Sequence, residues 1–210
     1  MIITVAHTKG GVGKSTISIN LAATLVAKRS DIEIVDLDFQ KTITYLNNIR
    51  ENKFHVRSFS STDELVTWFK TRDANKIAVI DVGGFDSPLN RLAMLISDIV
   101  ITPVSDSPTE ILGLIRFEKI LEEIEKNSDE KIQPYLLLNQ IDYRKKNNEE
   151  IESFVSKKKR FTLLDSVLRS RADYKRSLGT GEGVVEVDKK GKAAKEIKAL
   201  AKEIKKLLKD

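Results

Sequence analysis

The sequence has no cysteine, only four prolines and few aromatic residues, 6% of its 210 positions. Without cysteine, neither a disulfide framework nor a thiolate metal site can form. No apolar run approaches the roughly 20 residues that a membrane-spanning helix needs. The N-terminus begins directly with an apolar strand pattern, which leaves no room for a signal peptide. We therefore expect a cytoplasmic protein.

Hydrophobic residues make up 40% of the chain and charged residues 32%, as in ordinary globular proteins. The length suits one α/β domain with a substantial core. The net charge of +5 is concentrated near the C-terminus. Of the 36 basic and 31 acidic residues, residues 189–210 hold nine lysines and three acids, which leaves 27 and 28 elsewhere. This asymmetry predicts a polyanionic partner.

A glycine-rich stretch, Thr-Lys-Gly-Gly-Val-Gly-Lys-Ser-Thr at residues 8–16, follows an apolar run and precedes a segment with helical spacing. Strand, glycine-rich turn and helix form the context of a phosphate-binding loop, whose backbone N–H groups surround an anion. We expect Lys14 to bind the β- and γ-phosphates and Ser15 to bind Mg²⁺. The nucleotide-binding candidates of this loop are Lys9, Gly10, Gly11, Val12, Gly13, Lys14, Ser15 and Thr16.

The loop departs from the general pattern G-x-x-x-x-G-K-[ST] in two ways. Thr8 replaces the first glycine, and an additional lysine, Lys9, precedes Lys14 in the loop. It resembles the K-G-G-x-G-K-[ST] loop, the deviant Walker A box, of the ParA/MinD family of ATPases. In that family the extra lysine crosses a dimer interface to the partner's nucleotide. The resemblance implies that Lys9 is catalytic in trans, with Lys14 acting in its own protomer. The alternative is a solvated lysine that helps only through its charge.

Two acidic residues, Asp36 and Asp38, follow the predicted strand at residues 32–36. Carboxylates at the C-terminal ends of parallel strands point toward the crevice where ligands bind. The stretch resembles the D-x-D-P-Q motif of ParA proteins, with Phe39 in place of proline. By that resemblance, Asp38 orients the attacking water and Asp36 supports the metal. The alternative for a single aspartate is a cap for a helix near residues 42–49.

The apolar run at residues 77–80 ends in Asp81 and Gly83-Gly84. A buried central strand ending in aspartate is typical of a Walker B motif, and we expect the carboxylate beside Mg²⁺. The two glycines would act as the hinge of a switch that senses the γ-phosphate. Further along, residues 101–110 resemble the family's I-x-P-x-x-x-S-P-x-D stretch, with Glu110 replacing aspartate. This implies proximity to the nucleotide and dimer interface; a loop with a helix cap is the alternative.

The stretch Asn139-Gln140-Ile141-Asp142 after the apolar residues 135–138 bears on the choice of base. GTPases read guanine with N-K-x-D, but here Gln140 replaces the lysine. ParA relatives often keep the asparagine and use ATP. The resemblance therefore implies that Asn139 contacts adenine and that Asp142 is a loop acid. GTP stays possible on the sequence alone. His55 has no carboxylate or cysteine at ligand spacing, and we interpret it as structural. We interpret His7 as a strand-end residue and not a catalyst, because phosphoryl transfer needs positioning more than acid–base help.

Alternating strands and helices predict one α/β domain over residues 1–210, a mostly parallel twisted sheet flanked by helices, of the P-loop NTPase type. The resemblance is greatest to the small, ParF-like plasmid partition proteins and covers nearly the whole chain. It implies a slow ATPase that dimerises with ATP, binds DNA without sequence preference in the nucleoid, and is released when a centromere-binding, ParB-like partner stimulates hydrolysis. The N-terminus leaves no room for a helix-turn-helix domain. The candidate DNA contacts are Arg169, Arg171, Lys175, Arg176, Lys189, Lys190 and Lys192.

The predicted terminal helix, at about residues 190–208, carries a basic face and an apolar stripe. A MinD-like membrane switch is the alternative function, because such a helix could insert into an anionic bilayer. The stripe contains small residues, Ala194 and Ala201, and no aromatic residue, which favours packing against the domain. A third possibility, a metabolic ligase of the same fold, lacks a recognisable substrate pocket in the sequence.

Overall fold

A computed structural model describes residues 1–25, 31–107, 109–145 and 149–208. In these residues the strands are β1 (Ile2–Val5), β2 (Ile32–Asp36), β3 (His55–Arg57), β4 (Ile77–Asp81), β5 (Ile99–Val104), β6 (Tyr135–Ile141) and β7 (Thr162–Arg169). The helices are α1 (Lys14–Leu25), α2 (Thr42–Ile49), α3 (Thr62–Thr71), α4 (Pro88–Leu95), α5 (Glu110–Ser128), α6 (Glu149–Lys157), α7 (Ala172–Gly179), α8 (Val184–Val187) and α9 (Lys192–Leu207).

The strands form one sheet in the order β3-β2-β4-β1-β5-β6-β7, and every neighbouring pair is parallel. Strand β1 lies in the middle, with β4 on one side and β5 on the other. Strands β2, β3 and β4 therefore lie on one side of β1, and β5, β6 and β7 lie on the other. In open parallel sheets, ligands bind at the C-terminal ends of the strands where the order reverses. The glycine-rich loop, which directly follows β1, lies at that point.

Helices cover both faces of the sheet, which explains why β1, β2 and β5 are buried along their whole length. On one face, residues of α1, α8 and α9 pack in a single core with Ile3 and Ile34 of the sheet. On the other, residues of α3, α4, α5 and α6 pack with Val35 and Ile80. The predicted α/β architecture is confirmed, and the sheet is parallel throughout the described residues.

The strands lie where the sequence predicts them, but the last two are longer than predicted. Strand β6 continues beyond the apolar residues 135–138 to Ile141. We expect the last strand at residues 162–167 from its sequence, and β7 continues beyond them to Arg169. The alternating pattern of residues 54–59 predicts a short edge strand, and β3 pairs with β2 at the border of the sheet.

Three features lie outside the described residues. They are the end of the first helix, which we expect near residues 28–30, Pro108 of the S-P motif, and Lys209 and Asp210 of the basic segment.

The apolar stripe of α9 is buried against the domain. Ile197, Leu200 and Ile204 are inaccessible to solvent and share one core with α1 and β7. The lysines of this helix occupy its opposite, exposed face. None of the helices in the described ranges is both long and apolar enough to cross a membrane. The stripe thus contributes to the core of the domain, as its small residues predicted.

Candidate functional site

The glycine-rich loop turns tightly between β1 and α1. Gly11 and Gly13 have φ angles of 77° and 93°, in the left-handed region that favours glycine. A Cβ atom on Gly13 would also lie only 2.5 Å from Nδ2 of Asn139. Helix α1 begins at Lys14, so its first free backbone N–H groups face the loop. The loop therefore provides the anion-binding geometry that its sequence predicts.

A cleft of about 460 Å³ opens beside the loop. It is formed by the loops that follow β1, β2 and β4, by the first residues of α1 and α2, and by the C-terminal end of β6. The residues that line it are Gly10, Gly11, Gly13, Lys14, Ser15, Thr16, Asp38, Phe39, Gln40, Thr42, Gly84, Phe85 and Gln140. The predicted loop ligands thus line the cleft, apart from Val12, which is buried, and Lys9, which lies outside the lining.

Lys14 is buried, with 6% of its surface exposed. Its Nζ donates a hydrogen bond to the carbonyl of Lys9 at 3.1 Å. Burial lowers the pKa of Lys14, whereas the nearby carboxylates of Asp81 and Asp38 act in the opposite direction. A Cβ on Gly84 would lie 3.1 Å from the Gly10 nitrogen and 3.4 Å from Lys14 Nζ. The loop after β4 therefore approaches the phosphate-binding loop closely because it has glycine there.

Asp81, at the end of β4, is completely buried. Its carboxylate accepts hydrogen bonds from Ser15 Oγ at 2.7 Å and from Ser18 Oγ at 3.0 Å. Burial raises the pKa of Asp81 to about 7, although both serine hydrogen bonds oppose this effect. The predicted pair of Ser15 and Asp81 is thus in contact. Ser18, which the motif pattern does not include, also contacts the same carboxylate.

The oxygen atoms of Ser15 and Asp81 suit a hard cation such as Mg²⁺. In the parts of the chain that the structure describes, no group of three or more His, Cys, Asp or Glu side chains could hold a metal. Mg²⁺ usually takes one or two protein ligands and completes its shell with water and phosphate oxygens. The residues present therefore fit an ion that is bound together with a nucleotide.

The two acids after β2 have different surroundings. The Asp36 carboxylate accepts hydrogen bonds from the Thr44 backbone N–H at 2.9 Å and from Thr44 Oγ1 at 2.7 Å. Asp36 thus stabilises the first turn of α2, as the alternative interpretation of an aspartate as a helix cap predicts. Its role in supporting the metal stays a prediction. Asp38 lines the cleft and accepts a hydrogen bond from the Gln40 backbone N–H at 3.0 Å, so it is the acid with access to a bound ligand.

Lys9 lies at the rim, with 38% of its side chain exposed. Its Nζ contacts Oε1 of Glu110, at the start of α5, at 2.5 Å, and Oγ1 of Thr109 at 3.0 Å. Glu110 is buried and also accepts a hydrogen bond from Ser105 Oγ. The resemblance implied that Glu110 lies near the nucleotide site, and the structure places it against Lys9, the additional lysine of the loop.

Asn139 and Gln140 support the loop from the end of β6. Asn139 Nδ2 donates to the Val12 carbonyl at 2.7 Å, and Gln140 Nε2 donates to the Gly11 carbonyl at 3.2 Å. No local sequence motif predicts this support, because it depends on β6 ending beside the loop. The adenine contact of Asn139 stays a prediction. Asp142 pairs with Arg144, whose hydrogen bonds lower the pKa of this acid to about 2; this agrees with a loop acid.

The three arginines among the candidate DNA contacts have partners within the domain. Arg171 forms an ion pair with Glu196, and Arg176 pairs with Asp173. Arg169 donates to the carbonyls of Asp142 and Lys145. The four lysines are exposed and lie in and around α7 and the start of α9: Lys175, Lys189, Lys190 and Lys192. The lysines are therefore better placed than the arginines to contact a polyanion.

Comparisons with known proteins agree with this geometry. The profile of a family described as CobQ/CobB/MinD/ParA nucleotide binding domain matches residues 3–184. The sequence is 26% identical over 208 residues to "Maintenance of carboxysome distribution protein A" of Halothiobacillus neapolitanus, covering 96% of this chain and 95% of that protein.

Two solved structures share the fold. The septum site-determining protein MinD of Pyrococcus horikoshii, complexed with Mg-ADP, has a TM-score of 0.69 and 16% identity, covering 98% of this chain and 96% of that one. A ParA family ATPase from Chlorobium tepidum has a TM-score of 0.65 and 16% identity, covering 97% and 98%. At such identities the likeness establishes the fold of the chain.

Proposed function

The chain belongs to the CobQ/CobB/MinD/ParA nucleotide-binding family, and from this premise we propose that it is a ParA-type ATPase that segregates DNA. ATP binds in the cleft and makes the protein dimerise. The dimer binds DNA without sequence preference, and a ParB-like, centromere-binding partner stimulates hydrolysis and releases it. The observation that carries this proposal is the pair of lysines on one loop. Lys14 is 6% exposed inside the cleft, whereas the Lys9 side chain is 38% exposed at the rim.

The cleft supplies the parts that phosphoryl transfer needs, which are mainly positioning and charge stabilisation. The loop N–H groups and Lys14 bind the β- and γ-phosphates. Ser15 and Asp81 are the residues that would hold Mg²⁺, and the ion would neutralise charge on the phosphates. Asp38 orients the attacking water from the wall of the cleft. Lys9 reaches the nucleotide of the partner protomer, as an arginine finger does.

The DNA part of the proposal depends on the location of the positive charge. Exposed lysines lie close together in sequence before and at the start of α9, at positions 189, 190 and 192. A dimer presents two such surfaces to one duplex. Since phosphate contacts release counterions, doubling their number strengthens binding steeply. ATP binding would thus control DNA binding by controlling dimerisation.

The alternative, a MinD-like membrane switch, needs a free amphipathic helix. Helix α9 is the candidate for that role, but its apolar residues, such as Ile197 and Leu200, are in the core. Insertion would require that core to open. We therefore prefer DNA over a lipid bilayer as the polyanionic surface.

A paired binding assay tests the proposal. The protein is incubated with ATP, ADP or no nucleotide, and with either unrelated duplex DNAs or vesicles of anionic phospholipid. We expect ATP-dependent binding to all duplexes and no binding to vesicles. Lys14→Ala is the control, since it removes the main side-chain partner of the phosphates and should abolish both dimer formation and DNA binding. ATP-dependent binding to vesicles but not to DNA would reject the proposal.

A further inference from the structure

The His7 side chain, which follows β1 by two residues, is enclosed between the sheet and α5. Its ring stacks on Phe117, with ring centroids 5.9 Å apart and planes 6° from parallel. It also lies against Gly113, one turn before Phe117 in α5, where a Cβ atom would be only 2.8 Å from His7 Cε1. The glycine thus makes room for the ring. Its orientation is determined by these neighbours and not by solvent.

A hydrogen bond joins the enclosed ring to the phosphate-binding loop. Nδ1 of His7 accepts a hydrogen bond from the Lys9 backbone N–H at 2.9 Å. Nδ1 therefore carries no proton, and the neutral ring bears its hydrogen on Nε2. The carbonyl of Lys9 accepts a hydrogen bond from Lys14 Nζ at 3.1 Å. Both backbone polar groups of Lys9 are thus held, one by His7 and the other by the lysine that lines the cleft.

The other side of the ring faces the carboxylate that holds the Lys9 side chain. His7 Nε2 lies 3.9 Å from Oε2 of Glu110, and both atoms are buried without a hydrogen-bond partner in the described residues. The other oxygen of Glu110, Oε1, contacts Lys9 Nζ at 2.5 Å. His7 therefore binds the backbone of Lys9 directly and lies beside Glu110, which binds the ammonium group of Lys9.

We propose that His7 is a positioning residue of the phosphate-binding loop, which acts by holding the Lys9 backbone through Nδ1 and so arranges Lys9 and Lys14 before a nucleotide binds. The inference rests on the proposed function for its catalytic consequence. The hydrogen bond itself does not depend on that function. A partly buried N–H that loses its acceptor carries a free-energy cost, so the loop would rearrange if the acceptor were lost.

Two substitutions separate positioning from space filling. His7→Phe keeps a ring of similar size between Phe117 and Gly113 but removes the acceptor. His7→Asn leaves part of that space empty but places an amide oxygen at about the distance of Nδ1 from the backbone. If His7 only fills space, the phenylalanine variant should behave like the wild type and the asparagine variant should be impaired. If His7 positions the loop, the order in function is reversed.

Three measurements are made on the full-length protein and both variants: hydrogen exchange of the Lys9 amide by NMR, the Kd of a fluorescent ATP analogue, and the kcat and KM of ATP hydrolysis. We expect His7→Phe to accelerate Lys9 exchange and lower kcat about tenfold, with KM changed by less than about threefold. His7→Asn should restore slow exchange and bring kcat within about twofold of the wild type, even if it melts at a lower temperature.

Unchanged Lys9 exchange in His7→Phe, or equal loss of kcat in both variants, would overturn the inference. The exchange measurement needs no nucleotide, so it tests the role of His7 even if the wild type proves unable to hydrolyse ATP. A wild type that does not hydrolyse ATP would reject the proposed function. The exchange of the Lys9 amide would then still test whether His7 holds the Lys9 backbone. The two failures are therefore distinguishable.

Discussion

Replacing Asp81 with asparagine should stabilise the nucleotide-free protein and remove its response to Mg²⁺. The carboxylate is fully buried, and its pKa is raised from 3.8 to about 7. A shift of this size corresponds to about 4 kcal/mol of unfavourable free energy when the group is ionised. Asparagine has nearly the same shape and no charge. Its oxygen can accept from one of Ser15 and Ser18, and its amide can donate to the other.

The effect should depend on pH with a definite sign. Below pH 3.8 the carboxyl group is protonated in both the folded and the unfolded state, so it carries no cost. The cost increases as the pH rises toward 7, because the unfolded chain ionises first, and it is complete above that value. We expect Asp81→Asn to raise the free energy of unfolding by about 2–4 kcal/mol at pH 8 and by about 1–2 kcal/mol at pH 5.

Urea denaturation in EDTA, without nucleotide, measures this difference. Burial lowers the pKa of His7 to about 3, which produces the opposite pH trend in the free energy of unfolding. Below pH 6.5 the unfolded chain binds a proton at His7 and the folded protein does not, so the stability falls as the pH falls. Both proteins share this trend, so it cancels in the comparison. Ser18→Ala is the matched control. It should destabilise the wild type by about 1–2 kcal/mol more than it destabilises Asp81→Asn, because it removes a hydrogen bond to a charge.

If Asp81→Asn is less stable than the wild type at pH 8, or if the difference in stability does not vary with pH, the buried carboxylate does not carry the free-energy cost described above. With ATP present, Mg²⁺ should raise the melting temperature of the wild type and have little effect on the variant. A variant that still responds fully to Mg²⁺ would show that Asp81 is not part of the metal site.

Three further variants test individual roles. Lys9→Ala should keep nucleotide binding and reduce turnover by up to ~10³-fold in a phosphate-release assay, as expected of a finger supplied in trans; normal turnover would leave Lys9 with no catalytic role. Asp38→Ala should form the ATP dimer and persist on DNA because water positioning is lost, whereas wild-type turnover would mean that another acid orients the water. Neutralising Lys189, Lys190 and Lys192 together should weaken binding equally across sequences and flatten a log–log salt slope of about −5, the value for about six phosphate contacts; an unchanged slope would place the DNA surface elsewhere.

The motifs could be predicted from the sequence because their signals are local. The glycines of the phosphate-binding loop need a particular backbone conformation, and Gly11 and Gly13 adopt it. An apolar run that ends in Asp81 predicts a buried strand with one carboxylate at its end, and β4 has this form. The apolar stripe of α9 likewise follows from helical periodicity, and its small residues indicated packing against the domain.

Contacts between distant segments were not predictable in the same way. Asn139 supports the Val12 carbonyl because β6 and the loop end at the same edge of the sheet, 127 positions apart in sequence. The Asp36 side chain was predicted to support the metal, but its contacts with Thr44 depend on how α2 starts. The predicted DNA contacts included three arginines, and only the positions of α7 and α9 reveal that Arg171 pairs with Glu196.

The α/β class, the position of the phosphate-binding loop and the family resemblance follow from the sequence alone, because they depend on periodicity and on residues that are neighbours in the chain. Which side chains meet around the loop depends on the tertiary structure. Glu110 lies against Lys9, and His7 lies against Phe117 and Gly113, because the segment that follows β1 lies beside α5. Such pairings arise from the order of strands in the sheet, and no local pattern in the chain encodes them.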